Sequence, residues 1–154
     1  MSAVDDSCSM ALAFTLKWEG GYVCNPNDPG GETNKGITKL VYDSYRKSKS
    51  LSIQSVKLIS DGEVHDIYAE RYWIKAGCNK ITDIALAISV FDFAVNAGVS
   101  RAVNMLASAP NASRYNDARL GYYAKICTIN PKLKVFLKGW QNRVIDLEKY
   151  IQAV

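Results

Sequence analysis

The chain predicts a mostly α-helical single domain with one small β/turn excursion that carries part of a candidate site. Three observations predict it. Apolar residues recur at three- and four-residue steps along most of the sequence. Cap residues stand at the expected starts and stops of those stretches. Residues 21–36 break the pattern with a dense run of Gly, Pro, Asn and Asp. A length of 154 residues with 48% apolar and 22% charged side chains suits one domain around one core.

Met10 to Trp18 reads as the first helix, with Ala11, Phe14 and Trp18 on one stripe and Ser7 or Ser9 as N-cap. Gly20-Gly21 stops it. Residues 21–36 then form turns and a short hairpin. Thr38 caps a second helix to about Arg46 that buries Val41 and Tyr45. Lys47 to Ser52 is a polar loop. Ser60-Asp61-Gly62-Glu63 has the capping-box pattern and opens a helix to about Ala76, ended by Gly77. Thr82 caps the next. Ile84 to Val95 is apolar almost all round, the mark of a buried central helix. A short helix follows over Ser100–Ser108 and a further one over Ser113–Cys127. Asn130-Pro131 starts a last one, whose stripe is Leu133, Leu137, Trp140, Val144, Leu147 and Ile151.

Several classes are disfavoured. The longest apolar run, Ile84 to Ala97, is interrupted by Asp92 and Asn96, so no stable membrane insertion is expected. Met1 to Asp6 is acidic where a secretory signal is basic, so delivery to an extracellular polymer would need another route. Cys8, Cys24, Cys78 and Cys127 lie far apart and His65 is the one histidine, which argues against structural zinc; thiols of a reducing cytosol are expected, with two disulfides as the alternative. Residues 101–154 hold nine Lys/Arg against three Asp/Glu, a balance of +6, while residues 1–100 hold ten against twelve. That field favours an anionic polymer or surface, but no cluster is dense enough for nucleic acid.

Chemistry concentrates near the end of the first helix. Glu19 is placed to be a general acid: the negative end of the helix dipole and the apolar Phe14, Trp18 and Tyr22 all disfavour a charged carboxylate. Asp28, between Asn27 and Pro29, reads either as an Asx-turn residue or as a carboxylate that orients a water. Thr33 could share that water. Together they form Glu-x8-Asp-x4-Thr followed by Gly36-Ile37-Thr38. An acid and a water-holding base on opposite sides of a sugar linkage would be a glycosidase. Tyr22, Tyr72 and Asn96 are candidate saccharide contacts. Tyr68, Tyr72 and Trp73 otherwise read as core, and Asp92 and Asn96 as either buried hydrogen-bonding groups or cleft contacts. His65, with Asp61 one turn before it, reads as a local hydrogen bond rather than as part of a triad.

Glu19-Gly20-Gly21-Tyr22, Asn27-Asp28-Pro29-Gly30-Gly31-x-Thr33-Asn34-x-Gly36-Ile37-Thr38 and Ile67-Tyr68-x3-Tyr72-Trp73 resemble glycoside hydrolase family 108, which contains phage-endolysin-like N-acetylmuramidases. Phe91-Asp92-x-Ala94-Val95-Asn96-Ala97-Gly98, Arg101-Ala102 and Gly139-Trp140-x-Asn142-Arg143-Val144 are similar to the peptidoglycan-binding segment that usually follows in that family. The resemblance implies a lysozyme-like fold, with a catalytic segment over about residues 8–90 and a helical peptidoglycan-binding-like segment over about 91–150. It implies hydrolysis of the β-1,4 bond between N-acetylmuramic acid and N-acetylglucosamine, with Glu19 as the catalytic glutamate. Asp28 and Thr33 fall where tailed-phage lysozymes have the other two members of a Glu, Asp, Thr trio, although four residues separate them here where the phage pattern has five. No metal or organic cofactor is needed. The expected partner is a peptidoglycan glycan strand, met as a monomer in the periplasm or wall after delivery by holin-assisted lysis, a phage tail or injection apparatus, or an export system. A lytic transglycosylase and a non-catalytic wall-binding or tail-associated protein are the rival readings.

Overall fold

The computed structural model describes residues 3–27 and 31–154, with side chains from residue 6 onward in the first helix. Asp28 therefore lies outside the described residues. Seven α-helices and a three-stranded antiparallel sheet make up the described part: α1 Ala3–Trp18, β1 Val23–Cys24, β2 Glu32–Asn34, β3 Ile37–Thr38, α2 Lys39–Ser48, α3 Asp61–Tyr68, α4 Ile84–Ala97, α5 Val99–Ser108, α6 Ala112–Ile129 and α7 Lys134–Gln152. α4 is the hub. It packs on α1, α5, α6 and α7, and everything from Leu86 to Ala94 along it is buried.

Local chemistry explains most boundaries. The Thr38 hydroxyl accepts from Val41 N at 3.3 Å and starts α2. Ser60 Oγ accepts from Glu63 N and the Glu63 carboxylate accepts from Ser60 N, both at 3.1 Å, completing the capping box of α3. Ser60→Ala should lower stability by about 1 kcal/mol, measurable as a shift in the denaturation midpoint, because it orphans an N-terminal N–H. Asn111 caps α6, and Asn130 caps a 3-10 turn, Pro131–Leu133, that leads into α7.

Five expectations are corrected. α1 begins at Ala3, two turns before Met10, and the acidic Asp6 in that added stretch suits a helix N-terminal half. In α2 the fully buried residue is Tyr42, whose hydroxyl donates to Glu63 Oε1, while Val41 and Tyr45 are half-buried. The helix opened at Ser60 is not continuous: Ala69–Trp73 is a π turn in which Ile74 N donates to Ala69 O at 2.9 Å, and Trp73 at its end is buried. α4 is capped by Asp83, whose carboxylate accepts from Leu86 N, rather than by Thr82. His65 meets Ser9 and Asp66, while Asp61 pairs with Lys35 at 2.8 Å. None of the four cysteines forms a disulfide, and Cys8, Cys78 and Cys127 are buried.

The sheet is small but it fixes geometry. Val23 pairs with Thr33, Thr33 with Thr38 and Asn34 with Ile37. The two residues between β2 and β3, Lys35 at φ 53° and Gly36 at φ 79°, make a tight turn with both central residues left-handed. Tyr68 donates to Lys35 O at 2.6 Å and so ties that turn to α3.

Candidate active site

Glu19 follows the last residue of α1 and still donates its N–H to Thr15 O at 3.2 Å, so its position is set by the helix. Its side chain is 22% exposed. One wall beside it is the β2–β3 turn. A Cβ added to Gly36 would overlap the Tyr68 hydroxyl and come to 3.0 Å from Glu19 Oε2, so this glycine is needed both for its backbone angle and for the close approach. Burial first, and then the negative charge of Glu19, push the Tyr68 phenol above its ordinary value, which keeps it a neutral donor. Gly36→Ala should displace both Tyr68 and Glu19. We expect a loss of at least about 1–2 kcal/mol in stability from the left-handed backbone alone, and a fall in activity larger than the unfolded fraction explains, read from turnover and melting of the same sample.

The opposite wall is α7. Arg143 donates to Glu19 Oε1 from both terminal nitrogens, at 3.3 and 3.4 Å. The same guanidinium forks onto Asp92, with Nη2 to Oδ1 at 2.8 Å and Nε to Oδ2 at 3.0 Å. Asp92 is wholly buried and also accepts from Arg119 Nη1 and Thr15 Oγ1, each at 2.8 Å. Burial alone would raise the Asp92 carboxyl; the two guanidinium groups outweigh it and hold the carboxyl below its usual range. Four charged groups, two of each sign, thus run from the core to Glu19. Arg119 continues the chain of bonds to Tyr123 at 2.8 Å, and Tyr123 donates to Asn96 Oδ1.

The residues expected at the site are distributed as follows. Thr33 sits half-buried in the middle of β2, on the strand face opposite Glu32 and Asn34. Tyr22 donates to Glu32 Oε1 at 2.8 Å with the Lys57 ammonium 5.5 Å from its ring centre, so its phenol is held by the sheet. Tyr72 is half-buried with its ring 5.6 Å from Tyr68, within the aromatic packing beside Glu19. Asn96 lies one turn beyond Asp92 on α4 and lines a recess of about 340 Å³ with residues of α6 and α7. Asp92 is a buried hydrogen-bonding group, the first of its two readings.

Sequence reasoning did not single out Arg119, and it quoted Gly36, Tyr68 and Arg143 in motifs without placing them beside Glu19. A signal existed for the arginines. Arg119 lies between Tyr115 and Tyr123 at four-residue steps, and Arg143 lies between Trp140 and Val144 on the apolar stripe of α7. Two cations on apolar faces, in a chain whose central helix carries one buried aspartate, need each other.

The model of the family described as Glycosyl hydrolase 108 matches residues 12–98, more than half of the chain. The chain belongs to glycosyl hydrolase family 108. It is therefore a glycoside hydrolase, of the lysozyme-like kind that acts on peptidoglycan, and its fold is the α-rich lysozyme-like one. Among solved structures, SagA of Brucella abortus is similar over 96% of this chain and 95% of its own, at 28% identity and a TM-score of 0.71. No curated protein matches significantly. The family 108 match contains Glu19, Asp28, Thr33, Asp92 and Asn96, but stops before Arg119 and Arg143. Among the described residues of this family 108 chain, no helix is long and apolar enough to cross a membrane.

Proposed function

We infer that the chain is an N-acetylmuramidase that cleaves the β-1,4 bond between N-acetylmuramic acid and N-acetylglucosamine, with Glu19 as the proton donor to the bridging oxygen. One observation carries this reading: a half-buried carboxyl at the end of α1, wedged between the Gly36 turn and a guanidinium that is itself anchored in the core. An acid must leave its proton and then exist as an anion. Arg143 lies where it stabilises that anion as it forms. Its charge is tempered because its shorter bonds go to Asp92, so Glu19 does not face a bare cation. Asp28 and Thr33 are the proposed holders of the attacking water, on the residue pattern that follows Glu19. A carboxyl separation of roughly 6.5–9.5 Å would give inversion, and roughly 5–5.5 Å retention.

Tyr72 is proposed to contact saccharide, Asn96 to contact the muramoyl residue where its substituent leaves the sugar, and Tyr22 to line the approach past the sheet. The partner is a peptidoglycan glycan strand, met by a monomer after delivery by another system. Digestion of purified sacculi followed by mass spectrometry tests the reaction. Products with reducing N-acetylmuramic acid ends are expected. Products with 1,6-anhydro ends would make the chain a lytic transglycosylase, and intact sacculi would make it a binding protein.

A further inference from the structure

We propose that the recess between α4, α6 and α7 receives the acidic peptide borne by a muramoyl residue beside the cleaved bond, an inference that rests on the muramidase reading above. The recess shares two helices with the site. Trp140, in its wall, is one helical turn before Arg143 on α7, and Asn96 is one turn beyond Asp92 on α4, a step of about 5–6 Å along each helix. A peptide of three to five residues reaches about 10–17 Å from its sugar, enough to span that step.

The lining suits a peptide better than a pyranose. Sugars bind proteins by laying a face on an open aromatic ring. Here the rings are already covered: Tyr123 stacks on Trp140 at 4.9 Å and 19°, Phe136 lies 5.7 Å from the same indole, and the Arg101 guanidinium lies 4.8 Å from the Tyr122 ring centre. What remains is an apolar floor from Ile126 and Leu133, the amide of Asn96, and Arg101 at the rim. Arg101 donates one N–H to Ala97 O at 3.0 Å, and a guanidinium has five. Methyl-bearing side chains, amides and a free carboxylate match that inventory.

Charge points the same way. Between Asp117 and Asp146 the sequence has no acidic residue, and Lys125, Lys132, Lys134 and Lys138 are all exposed there. Arg119 and Arg143 are neutralised internally by Asp92 and Glu19, so the field around the recess comes from these lysines and Arg101. It attracts an anion that reaches the recess, and added salt weakens it.

The test compares two substrates and one ligand. Glycan strands carrying their peptides and strands stripped by an amidase are digested by wild type, Arg101→Gln and Leu133→Glu. A synthetic N-acetylmuramoyl peptide with free carboxylates is titrated against each protein by tryptophan fluorescence, with melting curves to establish folding. For both variants the ratio of kcat/KM on peptide-bearing to stripped strands should fall about tenfold, through KM, as expected when a charge-assisted contact is lost or opposed. Binding of the muramoyl peptide should weaken with them and with salt. An unchanged ratio, an equal loss on both substrates, or wild-type protein that does not bind the muramoyl peptide would overturn the proposal. Failure of wild type to cut either strand would instead defeat the muramidase reading, and the binding titration would still decide the recess.

Discussion

Glu19→Gln is expected to leave a folded protein that no longer cuts peptidoglycan. The amide has nearly the same shape as the acid and keeps an oxygen toward Arg143, while Arg143 retains its fork on Asp92. The pairing lost is long, at 3.3 and 3.4 Å, and belongs to a partly exposed side chain, so stability should change by no more than about 1 kcal/mol. Catalysis differs because an amide has no proton to give at the bridging oxygen. Loss of a general acid costs about 10²–10⁴-fold in rate, and the larger figure is expected for an alkoxide-like leaving group. Release of soluble fragments from sacculi, with circular dichroism on the same preparation, measures both halves. Lysis at the wild-type rate would remove Glu19 from the chemistry and with it the assignment of the site.

Asp92→Ala should be the most destabilising single change outside the apolar core. It leaves Arg119, wholly buried, and Arg143, nearly so, facing each other without the carboxylate that both hold. Breaking a buried pair from one side costs about 3–5 kcal/mol because the remaining charge stays desolvated, and here two charges remain. Asp92→Asn should be intermediate, since an amide oxygen still accepts one bond. The carboxyl is held below its unfolded value, so its stabilising contribution is complete above that value and is lost as pH falls through the folded one. Wild type should therefore lose stability on acidification below about pH 4, the ordinary aspartate range, and Asp92→Asn should show a flatter acid limb. Denaturant midpoints measured from pH 7 to pH 2 read both effects. Equal midpoints for the two proteins at neutral pH would mean that Asp92 does not hold the cluster together.

How much of this was legible in the sequence depends on the range of the interaction. Caps and turns are local: Thr38, Ser60 and Asn130 carry their own signals, and the structure shows all three accepting from nearby backbone N–H groups. The apolar run of α4 is likewise legible because burial on every side leaves no polar stripe. The π turn was not, since helical spacing continues through it and the packing around it, with Trp73 5.7 Å from Phe91, is long-range. Glu19 was singled out by the residues that follow it, Gly20-Gly21-Tyr22 and the Asp28, Thr33 and Gly36-Ile37-Thr38 pattern, rather than by its helix position. Its actual neighbours were not, because Arg143 is 124 positions away and Tyr68 is 49, and pairing at that range is decided by packing. The apolar setting expected around Glu19 is thus only half of what is there; a cation makes the other half.

The bond between Glu19 and Arg143 also joins parts of the chain that are far apart in sequence. Trp18 donates to Asp146, and Tyr150 donates to the carbonyl of Met10, so the first and last helices are clasped at three places. A nascent chain emerging from the ribosome presents Glu19 first and Arg143 only 124 residues later. Contacts of such long sequence separation form late and slowly. Incomplete products that stop before α7 lack the clasp, so the pairing of Glu19 with Arg143 waits on synthesis of that helix.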